Sequence, residues 1–253
     1  MDKKNTFEKI EDDCFIANGD SVSVMQKMKE KSIDLILTDP PYNLGKFMQD
    51  RATNMGKLRK NHFSATDWDH LNNSEWMTKM DQFLKLSSKI IRRGGSMIIL
   101  MSLMKVETII RLAEKHQFYY KTTGIWHKKN PMPRNMNLHF VNSTEGWIYF
   151  TYKDKTGTFN NHGKIVHDFI ETGLTPGNEK KYGGHPTQKP EALIKHFINL
   201  LSNKGDSILD PFMGSGTTGK VAIEMERKFY GIEFSKKYYK TSKDRMGHQV
   251  RLS

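Results

Sequence analysis

At 253 residues and 29.4 kDa the chain can bury a large core, as one sizeable domain or as one domain carrying an inserted module. A formal charge of +12 and a pI near 9.5 point to a polyanionic partner, and the lack of a basic amphipathic anchor favours nucleic acid over an anionic membrane. The single cysteine, Cys14, excludes an intramolecular disulfide framework, and no apolar run approaches the roughly 18 residues of a membrane-spanning helix.

The polar start Met1-Asp2-Lys3-Lys4-Asn5 is not followed by the apolar region of a signal peptide, so a reducing, cytoplasmic location is expected. Cys14-Phe15-Ile16-Ala17 reads as a short strand with Cys14 as a small core residue, Val22 to Lys29 as a helix, and the apolar run from Ile33 as a buried strand ending at Thr38. That strand runs directly into Asp39-Pro40-Pro41-Tyr42. From Asn43 to Thr66 the apolar periodicity is lost, and Lys46, Arg51, Lys57, Arg59 and Lys60 stand against the single acid Asp50, the pattern of a long, mobile, basic loop, whose length signals function or disorder.

Order resumes in a helix predicted over Ser74 to Ile91 and closed by Arg92-Arg93-Gly94-Gly95, followed by a strand at Met97 to Met101. A helix from Lys105 to Lys115, a strand around Thr122 to Trp126, the basic turn Lys128-Lys129-Asn130-Pro131-Met132-Pro133-Arg134 and a strand at Gly146 to Phe150 come next. Lys153 to Gly184 is rich in Gly, Asn, Lys and His with only brief apolar runs, and reads as an insertion outside the central sheet. His185-Pro186-Thr187-Gln188-Lys189-Pro190 then opens a helix to about Leu201, with Thr187 as cap and Pro190 in the first turn.

A second signature closes the chain. Ser207-Ile208-Leu209-Asp210 leads through Pro211-Phe212-Met213-Gly214-Ser215-Gly216-Thr217-Thr218-Gly219 into a helix, a strand feeding a tight glycine turn where backbone amides can approach a ligand. Lys228 to Glu233 supplies the next strand of a βαβ unit, and an acid at its end, Glu233, can accept hydrogen bonds from two ribose hydroxyls. The turn lacks the Lys-Ser/Thr ending of a nucleotidase loop, which disfavours ATP, while a dehydrogenase stays formally open. About 20 residues follow Glu233, so the remaining strands must come from upstream and the sheet is effectively permuted.

These residues resemble the β class of DNA amino-methyltransferases, in which an Asp-Pro-Pro-Tyr tetrad precedes a Phe-x-Gly-x-Gly turn. The resemblance covers most of the chain: Asn18-Gly19-Asp20, the tetrad, Gly94-Gly95, Trp126 to Pro131, Glu145, His185 to Pro190, Asp210 to Gly216, and Glu233. It implies a single α/β domain over 1–253 with a permuted Rossmann-like methyltransferase sheet, mostly parallel with an antiparallel strand, and a target-recognition region within about 131–184. It implies S-adenosylmethionine as methyl donor and, with an Asp-led tetrad, the N6 amino group of an adenine in double-stranded DNA as acceptor, in a restriction-modification setting. Asp39, Pro40, Pro41 and Tyr42 would be catalytic. An exocyclic amine is a poor nucleophile, and Asp39 with the Pro40 carbonyl can accept its N–H bonds while Tyr42 stacks the flipped base.

Cofactor contacts are expected from Asp20, Asp39, His185, Lys189, Asp210, Pro211, Phe212, Gly214, Ser215, Gly216, Thr217, Glu233 and Phe234. For Asp20 a helix N-cap is an equally good account, and for His185 and Lys189 structural and functional roles stand level. Phosphate contacts are expected from Lys46, Arg51, Lys57, Arg59, Lys60, Lys128, Lys129 and Arg134, whereas Lys236, Lys237, Lys240, Lys243 and Arg245 fit a solvated helix face slightly better. The histidines show no metal-ligand spacing, so no metal is expected. Cytosine N4, RNA or a protein amide remain alternative acceptors, with a non-catalytic nucleic-acid module as a further alternative; a homodimer and a cognate restriction endonuclease acting on the same site are left open. Asp39 and Gly214 should lie at neighbouring strand ends despite about 175 residues between them.

Overall fold

A computed structural model describes residues 5–43, 71–132, 137, 140–183, 185 and 187–247. Lys46, Arg51, Lys57, Arg59, Lys60 and Arg134, expected at the DNA, lie outside the described residues, as does nearly all of the 43–66 loop.

Alternation of apolar side chains builds a two-faced sheet. Strands β1 (Glu8–Glu11), β2 (Cys14–Asn18), β3 (Ile33–Thr38), β4 (Ile91–Met101), β5 (Phe118–Lys128), β6 (Thr144–Tyr152), β7 (Phe169–Thr172), β8 (Ser207–Asp210) and β9 (Lys228–Glu233) lie in the order β1-β2-β9-β8-β3-β4-β6-β5-β7. Neighbours from β2 to β4 and the pair β5–β7 are parallel, while β6 runs antiparallel to both β4 and β5 and β1 runs antiparallel to β2. Along β3 and β4, Ile36, Met97, Ile99 and Met101 enter one core and Leu35, Leu37, Ile98 and Leu100 the other, as the two-residue period of a strand requires. Helices α1 (Ser21–Met25), α2 (Asn73–Ile90) and α3 (Val106–Lys115) contribute to the first core through Met25, Trp76, Met80, Phe83 and Ile109. Helices α4 (Glu191–Leu201), α5 (Thr217–Glu224) and α6 (Lys236–Gly247) contribute to the second through Leu193, Phe197, Val221 and Met246. No helix among the described residues is long and apolar enough to cross a membrane.

The expected rhythm is present, with four corrections. Helix α2 opens on a capping box in which Asn72 and Glu75 bond each other's backbone N–H, but Arg92 to Gly95 does not close it: β4 already begins at Ile91. Ile33 faces Ile91 and Leu35 faces Ser96, so the extra residues form a bulge, with Gly94 at φ +75° and Arg92 drawn to Asp34. The segment 153–184 is not wholly outside the sheet, because Phe169–Thr172 pairs with Ile125–Lys128 as a parallel edge strand. Helix α1 stops at Met25, tightening into i→i−3 bonds from Lys27 to Val24 and from Met28 to Met25, short of the expected Lys29. Pro190, not Thr187, is the N-cap residue of α4; the Thr187 hydroxyl turns to His185 Nδ1 at 3.0 Å.

Cys14 is fully buried, its thiol 3.5 Å from Met246 Sδ, and burial pushes its pKa up to about 12, which fits an inert core residue. Two glycines set how closely the last βαβ unit can pack. A methyl group on Gly219 would meet Met246 Sδ and Phe229 Cε1, each at 2.5 Å, and one on Gly231 would meet Met213 Sδ at 2.3 Å. Gly219→Ala is therefore expected to lower unfolding free energy by about 1–3 kcal/mol in urea titration, although alanine favours a helix; an unchanged or higher midpoint would show that α5 and β9 are not held at this distance.

Candidate active site

Strands β3, β8 and β9 end side by side at their carboxyl edge, and each delivers one part of a crevice. Asp210, at the end of β8, ties the first two together. Its Oδ1 accepts from the Thr38 hydroxyl (3.0 Å) and the Phe212 N–H (3.2 Å), and its Oδ2 from the Thr218 hydroxyl (2.7 Å). Burial still raises this carboxyl to about 6 against those donors, and the nearby Asp39 charge adds to the rise.

After Asp210 the chain turns through Gly214 (φ +53°) and Gly216 (φ +79°), left-handed conformations in which a Cβ is strained, and Gly216 is the N-cap residue of α5. Phe212 packs edge-on against Phe83, ring centroids 5.6 Å apart. Glu233 closes the turn from the neighbouring strand. Its Oε2 accepts from Gly214 N–H (2.9 Å) and its Oε1 from Ser235 N–H (2.7 Å), and burial pushes its carboxyl up to about 7 despite both donors. Each oxygen keeps acceptor capacity for a further hydroxyl. Asn18 Nδ2 donates to the carbonyls of Glu233 (2.8 Å) and Phe234 (3.1 Å), while the Phe234 ring is about half exposed. Asp20 caps α1, accepting from Ser23 N–H and hydroxyl at 3.0 Å each.

The 185–190 segment is fastened to the turn by two residues that sequence reasoning did not single out for this. Gln188 Oε1 accepts from the Ser215 hydroxyl (3.1 Å) and from Arg245 (3.0 Å), and Arg245 also reaches the Thr217 hydroxyl (3.3 Å) and the Glu179 carbonyl (3.0 Å). Arg245 is 1% exposed, so it is a buried strut and not part of a solvated helix face. The His185 ring packs against Tyr238 at 4.3 Å and lies 3.7 Å from where a Gly214 Cβ would stand; burial lowers it to about 4, so it is neutral at pH 7.

The tetrad forms the third wall. The Pro41 carbonyl accepts from the Trp76 indole N–H at 2.8 Å, which anchors the two prolines to the first turn of α2. Tyr42 donates its hydroxyl to Asp39 Oδ1 at 2.5 Å, and Lys189 donates to Asp39 Oδ2 at 2.6 Å. Lys189 also lies 3.1 Å from Glu145 Oε2, and Glu145 Oε1 accepts from Lys128 at 2.5 Å. Burial raises the Asp39 carboxyl above its ordinary value although Lys189 opposes this. Burial also acts to raise Glu145, but its two ammonium neighbours outweigh it and hold that carboxyl low. Lys189 is raised, its two carboxylates overcoming burial, and burial with the adjacent carboxylates keeps Tyr42 a neutral phenol.

Lys189, expected at the cofactor, is therefore held between Asp39 and Glu145. Lys128, expected at DNA phosphates, is largely buried on Glu145 and over the Trp126 ring, while its neighbour Lys129 is exposed and pairs with Glu171 at 3.2 Å. Among the described residues, no three His, Cys, Asp or Glu side chains converge to hold a metal ion.

Comparison with known proteins accords with this geometry. Residues 33–244 match the family model described as DNA methylase, N6_N4_Mtase. The chain is 32% identical over 241 residues to the type II methyltransferase M2.DpnII of Streptococcus pneumoniae, covering 91% of this chain and 88% of that protein. It is 32% identical over 245 residues to the type II methyltransferase M2.LlaDCHI of Lactococcus lactis subsp. cremoris, covering 93% and 90%. Among solved structures, an M1.HpyAVI–SAM complex aligns with a TM-score of 0.66 at 28% identity over 92% of this chain and 99% of that one. The PvuII DNA methyltransferase (cytosine-N4-specific) shares the fold, with a TM-score of 0.75 at 20% identity over 96% and 88%. The chain belongs to the N6/N4 DNA methylase family and is a DNA methyltransferase with a permuted Rossmann-like sheet.

Proposed function

We propose that this methyltransferase uses S-adenosylmethionine to methylate the N6 amino group of an adenine flipped out of a specific double-stranded DNA sequence. The observation that carries the reading is the placement of an Asp-led tetrad and a glycine turn, with Glu233 behind it, at the ends of adjacent parallel strands. The residues of the turn fit a nucleoside: Gly214 leaves room for close approach, and Glu233 presents a carboxylate with acceptor capacity for ribose hydroxyls. Bound there, with Asp20, Phe212, Ser215, Gly216, Thr217, His185 and Phe234 around it, the cofactor supplies an electrophilic methyl on a sulfonium.

The protein's share is orientation and hydrogen-bond acceptance. An adenine amino group donates its lone pair into the ring. Accepting its two N–H bonds at the Asp39 carboxylate and the Pro40 carbonyl favours a more tetrahedral nitrogen whose lone pair points at the methyl. The Trp76 bond to the Pro41 carbonyl preorganises that backbone. Tyr42 supplies a flat face for the extruded base, and Asp39 can take the proton that the methylated nitrogen sheds. An Asp-led tetrad favours adenine over cytosine N4, for which related enzymes more often carry Ser.

Lys129, with Lys46, Arg51, Lys57, Arg59, Lys60 and Arg134, would contact phosphates, and the region 131–184 would read the target sequence. The type II relatives support a place in a restriction-modification pair acting in the cytoplasm, with a cognate endonuclease for the same site. Homodimer formation is part of the same proposal.

Asp39→Asn is expected to lower single-turnover methylation of mixed-sequence duplex DNA by about 100-fold or more while S-adenosylmethionine affinity stays within a few-fold. Nucleoside mass spectrometry identifies the product, and N4-methylcytosine in place of N6-methyladenine would overturn the acceptor assignment. For Glu233, only the carboxylate form accepts from both ribose hydroxyls without giving up a lone pair to a proton. Affinity for S-adenosylmethionine measured by calorimetry should therefore rise as pH passes up through about 7, and Glu233→Gln should remove that rise; identical profiles would take Glu233 out of the ribose role.

A further inference from the structure

The Lys189 ammonium sits between two acids, with the side chain only 8% exposed. It is also 5.8 Å from the Tyr42 ring centroid. We propose that Lys189 is a positioning residue that keeps Asp39 ionised and aimed, and that Glu145 and Lys128 complete a four-group charge cluster setting the lower pH limit of methyl transfer. The catalytic part of this rests on the methyltransferase reading above.

The geometry carries the argument in three steps. First, the cluster is balanced: the carboxylates of Asp39 and Glu145 face the ammonium groups of Lys189 and Lys128 along the chain Asp39–Lys189–Glu145–Lys128, at 2.6, 3.1 and 2.5 Å. Removing one member leaves an uncompensated charge in a desolvated place, and such a group responds by changing its protonation. Second, the members come from four separate pieces of chain: the end of β3, the segment before α4, the start of β6 and the end of β5. An ammonium on Oδ2 and the Tyr42 hydroxyl on Oδ1 fix the carboxylate plane against the β3 edge. Third, only the ionised carboxylate is a pure hydrogen-bond acceptor, and acceptance from the amino group is the task assigned to Asp39.

The groups facing the cluster set the sign of each perturbation. Asp39 faces Tyr42, Lys189, Glu145 and, from β8, Asp210; Glu145 faces Lys128 and Tyr42; Lys189 also faces His185, which is neutral. Replacing Lys189 by an apolar side chain removes the cation and leaves the two carboxylates close to each other, so Asp39 must hold its proton to higher pH. Replacing Glu145 by its amide removes a neighbouring anion and leaves Lys189 to Asp39 alone, so Asp39 must release its proton at lower pH. A role confined to packing would lower activity in both variants without moving either titration.

Two readouts on Lys189→Met and Glu145→Gln test this. In the protein without DNA or cofactor, carbon-13 NMR of labelled aspartate carboxyls, with the Asp39 signal assigned by its loss in Asp39→Asn, follows ionisation directly. The midpoint should rise by roughly 1–3 units in Lys189→Met and fall by about one unit in Glu145→Gln. In turnover, the acidic limb of the kcat–pH profile should move in the same two directions, and Lys189→Met should lose about tenfold or more in kcat at pH 7 while its KM for S-adenosylmethionine changes less than threefold. Midpoints that stay put, or shift together in one direction, would overturn the proposal. A raised KM with an unmoved limb would return Lys189 to the cofactor. If the NMR midpoints move as expected but the wild-type protein makes no methylated adenine, the charge cluster stands and the adenine reading falls.

Discussion

Everything at this site depends on β3 lying directly beside β8. Leu35 and Ile36 pair with Ile208 and Leu209, which forces Asp39 and the glycine turn out of the same sheet edge although the chain runs far between them. Strand pairing alone would leave the two exits free to splay. Asp210 prevents this, because one carboxylate accepts from Thr38 on β3, from Phe212 in the turn and from Thr218 on α5. A buried acid meeting three neutral donors and no cation is a strained choice electrostatically, and its carboxyl is correspondingly raised. It is also a rigid one, since its three donors come from three different pieces of chain.

The crevice therefore has two acidic walls built on opposite principles. On the tetrad side, Asp39 and Glu145 are matched by Lys189 and Lys128, so negative charge is retained by local neutralisation. On the turn side, Asp210 and Glu233 are met by backbone amides and hydroxyls alone, and both carboxyls rise, to about 6 and about 7. Neutral donors orient a carboxylate without compensating its charge. A cationic ligand on the turn side would lower the cost of ionising Glu233, while the tetrad side has its cations in place already. The separation suits a reaction in which a sulfonium and a neutral amine must meet.

Much of this was legible as pattern. The alternation Leu35-Ile36-Leu37 and the run Met97 to Met101 announced strands covered on both faces, and the spacing from Asp210 through Gly214 to Glu233 announced a βαβ unit with an acid at its end. What escaped is what only tertiary contact decides. Arg92-Arg93-Gly94-Gly95 has the composition of a helix stop, yet Arg92 meets Asp34 and the glycine absorbs a bulge, so the strand starts early. Phe169–Thr172 alternates too briefly to register as a strand, and β5 recruits it as an edge. Lys128 and Lys189 looked like two unrelated basic residues; nothing in one dimension signals that both converge on Glu145, which the sequence offered without a partner. Arg245 reads as one cation among several on a lysine-rich helix, and only packing shows that it alone turns inward to Gln188.

That inward turn changes how the net charge should be read. Lys128, Lys189, Arg92 and Arg245 each have a partner within the protein, so part of the positive charge is matched internally. Most of the cations proposed for phosphate contact are concentrated in sequence: the stretch 43–66 holds five against one acid, a net +4 that is a third of the chain's formal +12. This stretch follows Tyr42 directly, and Pro41 just before it is held by Trp76. A basic sequence so placed would bring the proposed phosphate contacts next to the tetrad. Tyr42, whose hydroxyl meets Asp39, joins the sheet edge to that basic stretch along the chain.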